Sequence, residues 1–298
     1  MRAVRLSIVL ACFILPIFSS IHADALDGVP VLMYHEFVQS PQDRALGETV
    51  MTYASFEEQM AYLAREGYTT LSMNELVEYL KGKREVPAKS VVLTFDDGWK
   101  SQLGALPTLE KYGMKASFWV ITGDGYGDVY FNEEDLKRID ANPNWEVESH
   151  TVTHPWDPHS NLLTWLKGHP TGKSKKDVWY ELIDSKAKLE RILNRKITML
   201  AWPCGWYNST LIHMAQKAGY EILLTIIEKP NLRGGNVFKV RRFFINGLYN
   251  LDDFKSIVEQ GRKPNRQLSD IVGDRGVVRL ASLAHHKSRD FGKIIYPL

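Results

Sequence analysis

Eight short apolar runs, separated by amphipathic stretches, constrain this 298-residue chain more than any other feature. The runs "VPVLMYH" (29–35), "YTTL" (68–71), "SVVLTF" (90–95), "KASFWVI" (115–121), "WEVES" (145–149), "ITMLAW" (197–202), "EILLTI" (221–226) and "VFKVRRF" (237–243) have the length and side chains of buried strands. Between them, periodicity predicts helices over 55–66, 73–82, 101–112, 133–140, 177–194, 209–218 and 251–260. Ser55 with Glu58 reads as a capping box, and "KYGMKAS" and "KAGYEIL" each place a glycine between a helix and the next strand. Such alternation calls for an α/β fold with a parallel sheet. The strand count points to a distorted (β/α) barrel of about seven to eight parallel strands, with an open doubly wound sheet as the alternative. No glycine-rich phosphate loop follows the first strand, which argues against dinucleotide binding.

In a parallel barrel the C-terminal strand ends converge on one face. His35, Asp96-Asp97, His150 and Pro203-Cys204 all fall at or just beyond such ends, so segments distant in sequence are expected to meet there. "SHTVTHP" puts His150 and His154 four residues apart. On an extended strand that is about 13 Å, too far to share one ion, so a turn or a single helical turn must bring them together, and Pro155 directly after His154 is compatible with a turn. Thr151 stands where the zinc-protease helix pattern needs a glutamate. Two histidines with one carboxylate make a three-donor metal site with open positions. A second, adjacent carboxylate is then free to act as a base. The plainer alternatives are an acidic turn closing a strand and two locally bonded histidines.

The chain is 44% hydrophobic and 24% charged, as expected of a globular protein with a large core. Its 37 basic and 35 acidic side chains give a net charge of +2, with no bulk attraction for nucleic acid. Arg2 and Arg5 precede "LSIVLACFILPIF", and "ADA" at 23–25 supplies small residues, so 1–25 reads as a secretory signal. The run falls short of the ~18–20 residues a spanning helix needs, so no stable membrane span is expected after cleavage. An uncleaved anchor, or lipidation of Cys12 in "VLAC", would instead tie the chain to a membrane. The expected location is periplasmic or extracellular. Residues 26–260 then form the catalytic domain, 261–298 an extension with no assigned role, and 155–176 a polar and aromatic insertion. After cleavage Cys204 is the one remaining cysteine, which excludes a disulfide within the chain.

"TFDDG" followed by "H-T-x-x-H" resembles the polysaccharide deacetylase (NodB-homology) family, carbohydrate esterase family four, over about residues 29 to 260. The resemblance implies a NodB-like barrel and a divalent metal, zinc by default with cobalt, nickel or iron suiting the same donors. It implies removal of N-acetyl groups from an aminosugar polymer, with Asp96 as base and Asp97, His150 and His154 as metal ligands. The family's third motif, Arg-x-x-Pro and an aromatic, is replaced by "AWPCGWYN" (201–208). Pro203 matches and Cys204 stands at the aromatic's place. The resemblance then assigns the Cys204 amide to the oxyanion, with its thiol as nucleophile the alternative. Trp202, Trp206 and Tyr207 are candidate sugar-groove residues, and Arg241 or Arg242 a substitute for the missing arginine. The opening "VPVLMYHEF" is similar to the biofilm poly-β-1,6-N-acetylglucosamine deacetylases of the PgaB/IcaB type, which implies His35 as acid, ahead of His285 or His286 in "SLAHH". An N-acetylated polysaccharide is the expected substrate and an exopolysaccharide export machinery a candidate partner. The rival readings are an O-acetyl glycan esterase, a chitooligosaccharide or peptidoglycan deacetylase, a non-haem iron oxygenase and a non-catalytic glycan-binding relic.

Overall fold

A computed structural model describes residues 26–40, 47–123, 129–168 and 170–264. The signal-like segment, Cys12, His285 and His286 lie outside these residues. The strands are β1 (Val31–Tyr34), β2 (Glu36–Val38), β3 (Val50–Thr52), β4 (Thr69–Thr70), β5 (Ser90–Phe95), β6 (Ala116–Val120), β7 (Trp145–Ser149), β8 (Met199–Ala201), β9 (Ile222–Leu224) and β10 (Phe243–Phe244). The helices are α1 (Tyr53–Arg65), α2 (Met73–Leu80), α3 (Leu106–Lys111), α4 (Glu133–Asp140), α5 (Leu162–Trp165), α6 (Lys175–Leu193), α7 (Ser209–Lys217) and α8 (Leu251–Gln260). Among the described residues no helix is long and apolar enough to cross a membrane.

The main sheet is parallel and runs β10-β1-β5-β6-β7-β8-β9, with β4 paired to the start of β5. Its edges meet through one segment. Val240 bridges Leu224, the last residue of β9, and three residues later Phe243 pairs with Leu32 of β1. The architecture is therefore a distorted (β/α) barrel. Strand side chains alternate between two cores, as a period of two requires. Leu93, Phe95, Phe118, Val147 and Leu200 join the layer beneath the helices, whereas Val92, Trp119, Met199, Ala201 and Leu224 fill the barrel with Leu76 and Leu80 of α2.

Three details depart from the sequence expectation. Helix α1 is capped by Thr52, whose side chain accepts from the Ser55 amide at 3.1 Å, so Ser55 lies inside the first turn and does not cap it. Strands β2 and β3 form a separate parallel pair that periodicity did not reveal. The expected strand 237–243 is instead a 3-10 turn at Val237–Lys239, a single bridge and the short β10. Asn236 tightens that turn by accepting from the Phe238 amide at 2.9 Å, because the chain must step across from β9 to β1.

Candidate metal centre

The inward positions of the strands, continued past their C-terminal ends, build the site. Asp96 follows β5 two residues beyond Thr94, and His150 follows β7 two residues beyond Glu148. His35 follows β1 two residues beyond Met33. They line a cavity of about 530 Å³ together with Asp97, His154 and Cys204. Trp99, Tyr130, Trp156 and Phe244 supply its aromatic wall, with the Trp99 and Tyr130 rings stacked at 4.5 Å.

The backbone is bent sharply to achieve this. Of five non-glycine residues with positive φ among those described, four are Asp97 (72°), Thr151 (70°), His154 (46°) and Cys204 (51°), all at the site. Such conformations persist only where surrounding contacts over-determine them, and they concentrate at functional centres. Gly98, with φ of 79°, completes the turn after Asp97; a Cβ there would sit 3.0 Å from the Val120 side chain.

Asp97, His150 and His154 each offer a donor atom within 4.8 Å of the others. Asp97 Oδ1 lies 3.5 Å from His150 Nε2 and 3.7 Å from His154 Nε2. That oxygen is buried without a hydrogen-bond partner, while Oδ2 accepts from the Trp99 indole at 3.0 Å. His150 Nδ1 is 2.8 Å from the Ala201 carbonyl, which only accepts, so Nδ1 carries the proton and Nε2 presents its lone pair. A buried bare carboxylate oxygen facing the His150 Nε2 lone pair and the His154 imidazole fits a divalent cation of the zinc class.

Asp96 is held differently. Arg242, fully buried, donates from both terminal nitrogens to its two oxygens at 2.6 and 2.8 Å and from Nε to the Thr225 carbonyl at 3.0 Å. Burial raises the Asp96 pKa, but Arg242 and then His150 outweigh it and hold it at about 2, so this carboxylate stays ionised. Gln102 was not foreseen. Its amide donates to the His35 and Asp96 carbonyls at 2.9 and 2.6 Å, tying two strand ends together, and a lone glutamine in a helix-like stretch carries no signal for this.

Several expectations are corrected. Arg241 does not reach the site; its guanidinium faces the Pro230 carbonyl at 3.4 Å, because adjacent residues entering β10 face opposite ways. Trp202 borders the cavity but is 0% exposed within the outer core, so it offers no open ring face. Trp206 and Tyr207 do not line the cavity; the 3-10 turn Pro203–Gly205 carries them toward the Asn208 cap of α7. In the metal-free site, burial, with the Asp97 charge behind it, pushes the Cys204 thiol up to about 11, which disfavours the thiolate a nucleophile needs. His35 is partly exposed, with its ring edge-on to Phe244 at 5.5 Å and Nδ1 buried without a partner.

Burial also lowers His150 and His154 from 6.5 to about 4, against the pull of Asp96. In metal-free protein the unfolded chain therefore takes up these protons first as pH falls. Each histidine costs on the order of 3 kcal/mol of stability, lost progressively from pH 6.5 through 4. Asp96, whose folded pKa lies below its unfolded 3.8, adds a further loss only below about pH 4. The buried Glu148 carboxyl, raised to about 8, gains stability as pH falls and offsets part of this loss, so calorimetry of the metal-free protein should show a Tm that falls below pH 6.5 by less than the two histidines alone would give. A Tm independent of pH down to 5 would contradict the buried, neutral histidines.

Residues 83–223 match the family model described as polysaccharide deacetylase. The chain is 30% identical over 199 residues to "Putative polysaccharide deacetylase YxkH" of Bacillus subtilis (strain 168), covering 66% of this chain and 64% of that protein. It is 23% identical over 263 residues to the poly-beta-1,6-N-acetyl-D-glucosamine N-deacetylase of Escherichia coli (strain K12), covering 76% of this chain and 38% of that one. Thus the chain spans less than two thirds of either relative. Among solved structures it resembles the Streptococcus pyogenes deacetylase PplD in complex with acetate, with a TM-score of 0.65 and 28% identity over 78% of this chain and 98% of that one.

Proposed function

We propose, from the match of residues 83–223 to the polysaccharide deacetylase family model, that the chain is a metal-dependent hydrolase removing N-acetyl groups from N-acetylglucosamine units of a polysaccharide. The observation that carries the proposal is the division of labour between adjacent aspartates. Asp97 leaves one buried oxygen bare beside two neutral imidazoles, while Asp96 is locked as an anion by Arg242. Asp97, His150 and His154 would hold the cation, zinc by preference, with cobalt, nickel or iron suiting the same donors. Bound there, it supplies Lewis acidity, acidifying water and polarising the amide carbonyl.

The chain's own residues do the rest. Asp96 takes the proton of the attacking water as its oxygen bonds to the acetyl carbon. The amide of Cys204 serves the developing oxyanion. His35 passes a proton to the nitrogen as the carbon–nitrogen bond breaks, so acetate and a free amine leave. Trp156, half-buried on the cavity wall, offers its ring to the sugar. A β-1,6-linked polymer is the favoured substrate, supported by the similarity to the Escherichia coli enzyme. The leader-like 1–25 supports action outside the cytoplasm, with 26–260 as the catalytic unit.

The test is acetate release from β-1,6- and β-1,4-linked N-acetylglucosamine oligomers and from O-acetylated glycans, with and without chelator. Release from the N-acetylated β-1,6 series is expected, abolished by chelation and restored by zinc. Undiminished turnover in rigorously chelated protein would overturn the metal, and release from O-acetylated glycans alone would overturn the amide substrate.

A further inference from the structure

The turn between the two histidines is held by a carboxylate from another element. Glu181 of α6 is 1% exposed and spends both oxygens on this turn. Its Oε2 accepts from the Val152 and Thr153 amides, each at 2.8 Å, and its Oε1 from the Thr153 hydroxyl at 2.5 Å. The turn is pinned on its other side by the Thr122 and Gly123 amides, which donate to the Thr151 and Val152 carbonyls at 3.1 and 2.8 Å. Within it, the His154 amide donates to Thr151 Oγ1 at 3.2 Å. Helix α6 is itself fixed to the end of β7 by a Ser149–Ser185 hydroxyl contact of 3.0 Å. The turn needs this support, because Thr151 and His154 both have left-handed φ, and threonine is branched at Cβ.

Spacing depends on that turn. In it the two imidazole rings lie 4.6 Å apart with both Nε2 atoms near Asp97 Oδ1. In any extended conformation residues four apart separate by about 13 Å. We propose that Glu181 is the positioning residue of the metal centre: it fixes the left-handed turn that sets the separation of His150 and His154, and so sets metal affinity without touching the ion. The inference rests on the metal reading of the site given above. Loss of a group that orients metal ligands lowers affinity by roughly 10- to 100-fold, which gives the scale of the effect.

The experiment titrates the full chain with Zn²⁺ alone against a chromophoric chelator. Glu181→Leu matches the size but leaves two buried amides without an acceptor, and should bind 10- to 100-fold more weakly. Glu181→Gln should stay within about threefold of the parent. Its amide oxygen still accepts both N–H groups, and the Thr153 hydroxyl reverses to accept from the new NH₂. Should the leucine variant not fold, Glu181→Asp keeps the charge but not the reach, and should also weaken binding at least tenfold. A folded leucine or aspartate variant with parental affinity overturns the role of Glu181. A glutamine variant as weak as leucine overturns the hydrogen-bond basis. Absence of Zn²⁺ binding by the parent chain overturns the metal reading, and this inference with it, whereas the other two outcomes leave that reading standing.

Discussion

Asparagine at position 96 is expected to lower kcat for acetate release by roughly 10²–10⁴-fold, the range for loss of a positioned general base, while Zn²⁺ affinity stays within a few-fold. The asymmetry follows from the geometry. Asp96 Oδ2 is 3.7 Å from His150 Nε2, but both Asp96 oxygens are engaged by Arg242, whereas Asp97 presents a bare oxygen toward the histidines. Asparagine keeps one acceptor for Arg242 and cannot take a proton. Asp96→Asn also leaves the guanidinium without its counter-charge, so some stability will be lost, and the assay must be run where circular dichroism shows both proteins folded. If Asp96→Asn retains near-parental kcat with metal bound, the base lies elsewhere. If Zn²⁺ binding collapses instead, Asp96 is a ligand and the roles of the two aspartates must be exchanged.

Arg242→Met should be the most destabilising single change at the site. It leaves Asp96 buried and ionised with no cation beside it, and breaking a buried pair from one side costs about 3–5 kcal/mol. For a chain of this size that corresponds to a fall in Tm of roughly 6–20 °C. The pH dependence should change as well. With Arg242 gone, burial is the leading influence on Asp96 and acts upward, so the carboxyl protonates at higher pH than in the parent. The parent loses the Asp96 contribution only as pH falls from 4 toward 2; in Arg242→Met, protonating Asp96 relieves a buried charge and partly restores stability. Arg242→Lys should recover only part of the loss, since one ammonium cannot meet both oxygens as the guanidinium does. Calorimetry of the variants at pH 7 and pH 5 checks both statements, and a Tm within 2 °C of the parent at pH 7 would show that the pair carries little of the fold.

The sequence spelled out the centre because its residues sit in adjacent pairs or in one short turn at strand ends. The alternation of Val92, Thr94 and Asp96, and the tight spacing of His150 and His154, survive folding as local facts. Arg242 was harder to separate from Arg241, because their facing depends on β10, a two-residue strand whose parity is fixed only by pairing with β1, more than two hundred residues earlier. Trp202 misled for the reverse reason. Met199 and Ala201 face the barrel, so the same alternation carries Trp202 into the outer layer, though a tryptophan next to a catalytic-looking loop invites a groove role. Gln102 and Glu181 act through backbone groups of distant segments, and nothing in their neighbours' identities marks such partners.

The closing segment 240–244 has a consequence for biosynthesis. It joins the two edges of the sheet and delivers the guanidinium that pairs with a carboxylate 146 positions earlier. A nascent chain that has not yet reached it lacks both the link between the two sheet edges and the cation that pairs with Asp96. Closure of the ring and compensation of the Asp96 charge thus come from the same five residues, and neither can be completed without them.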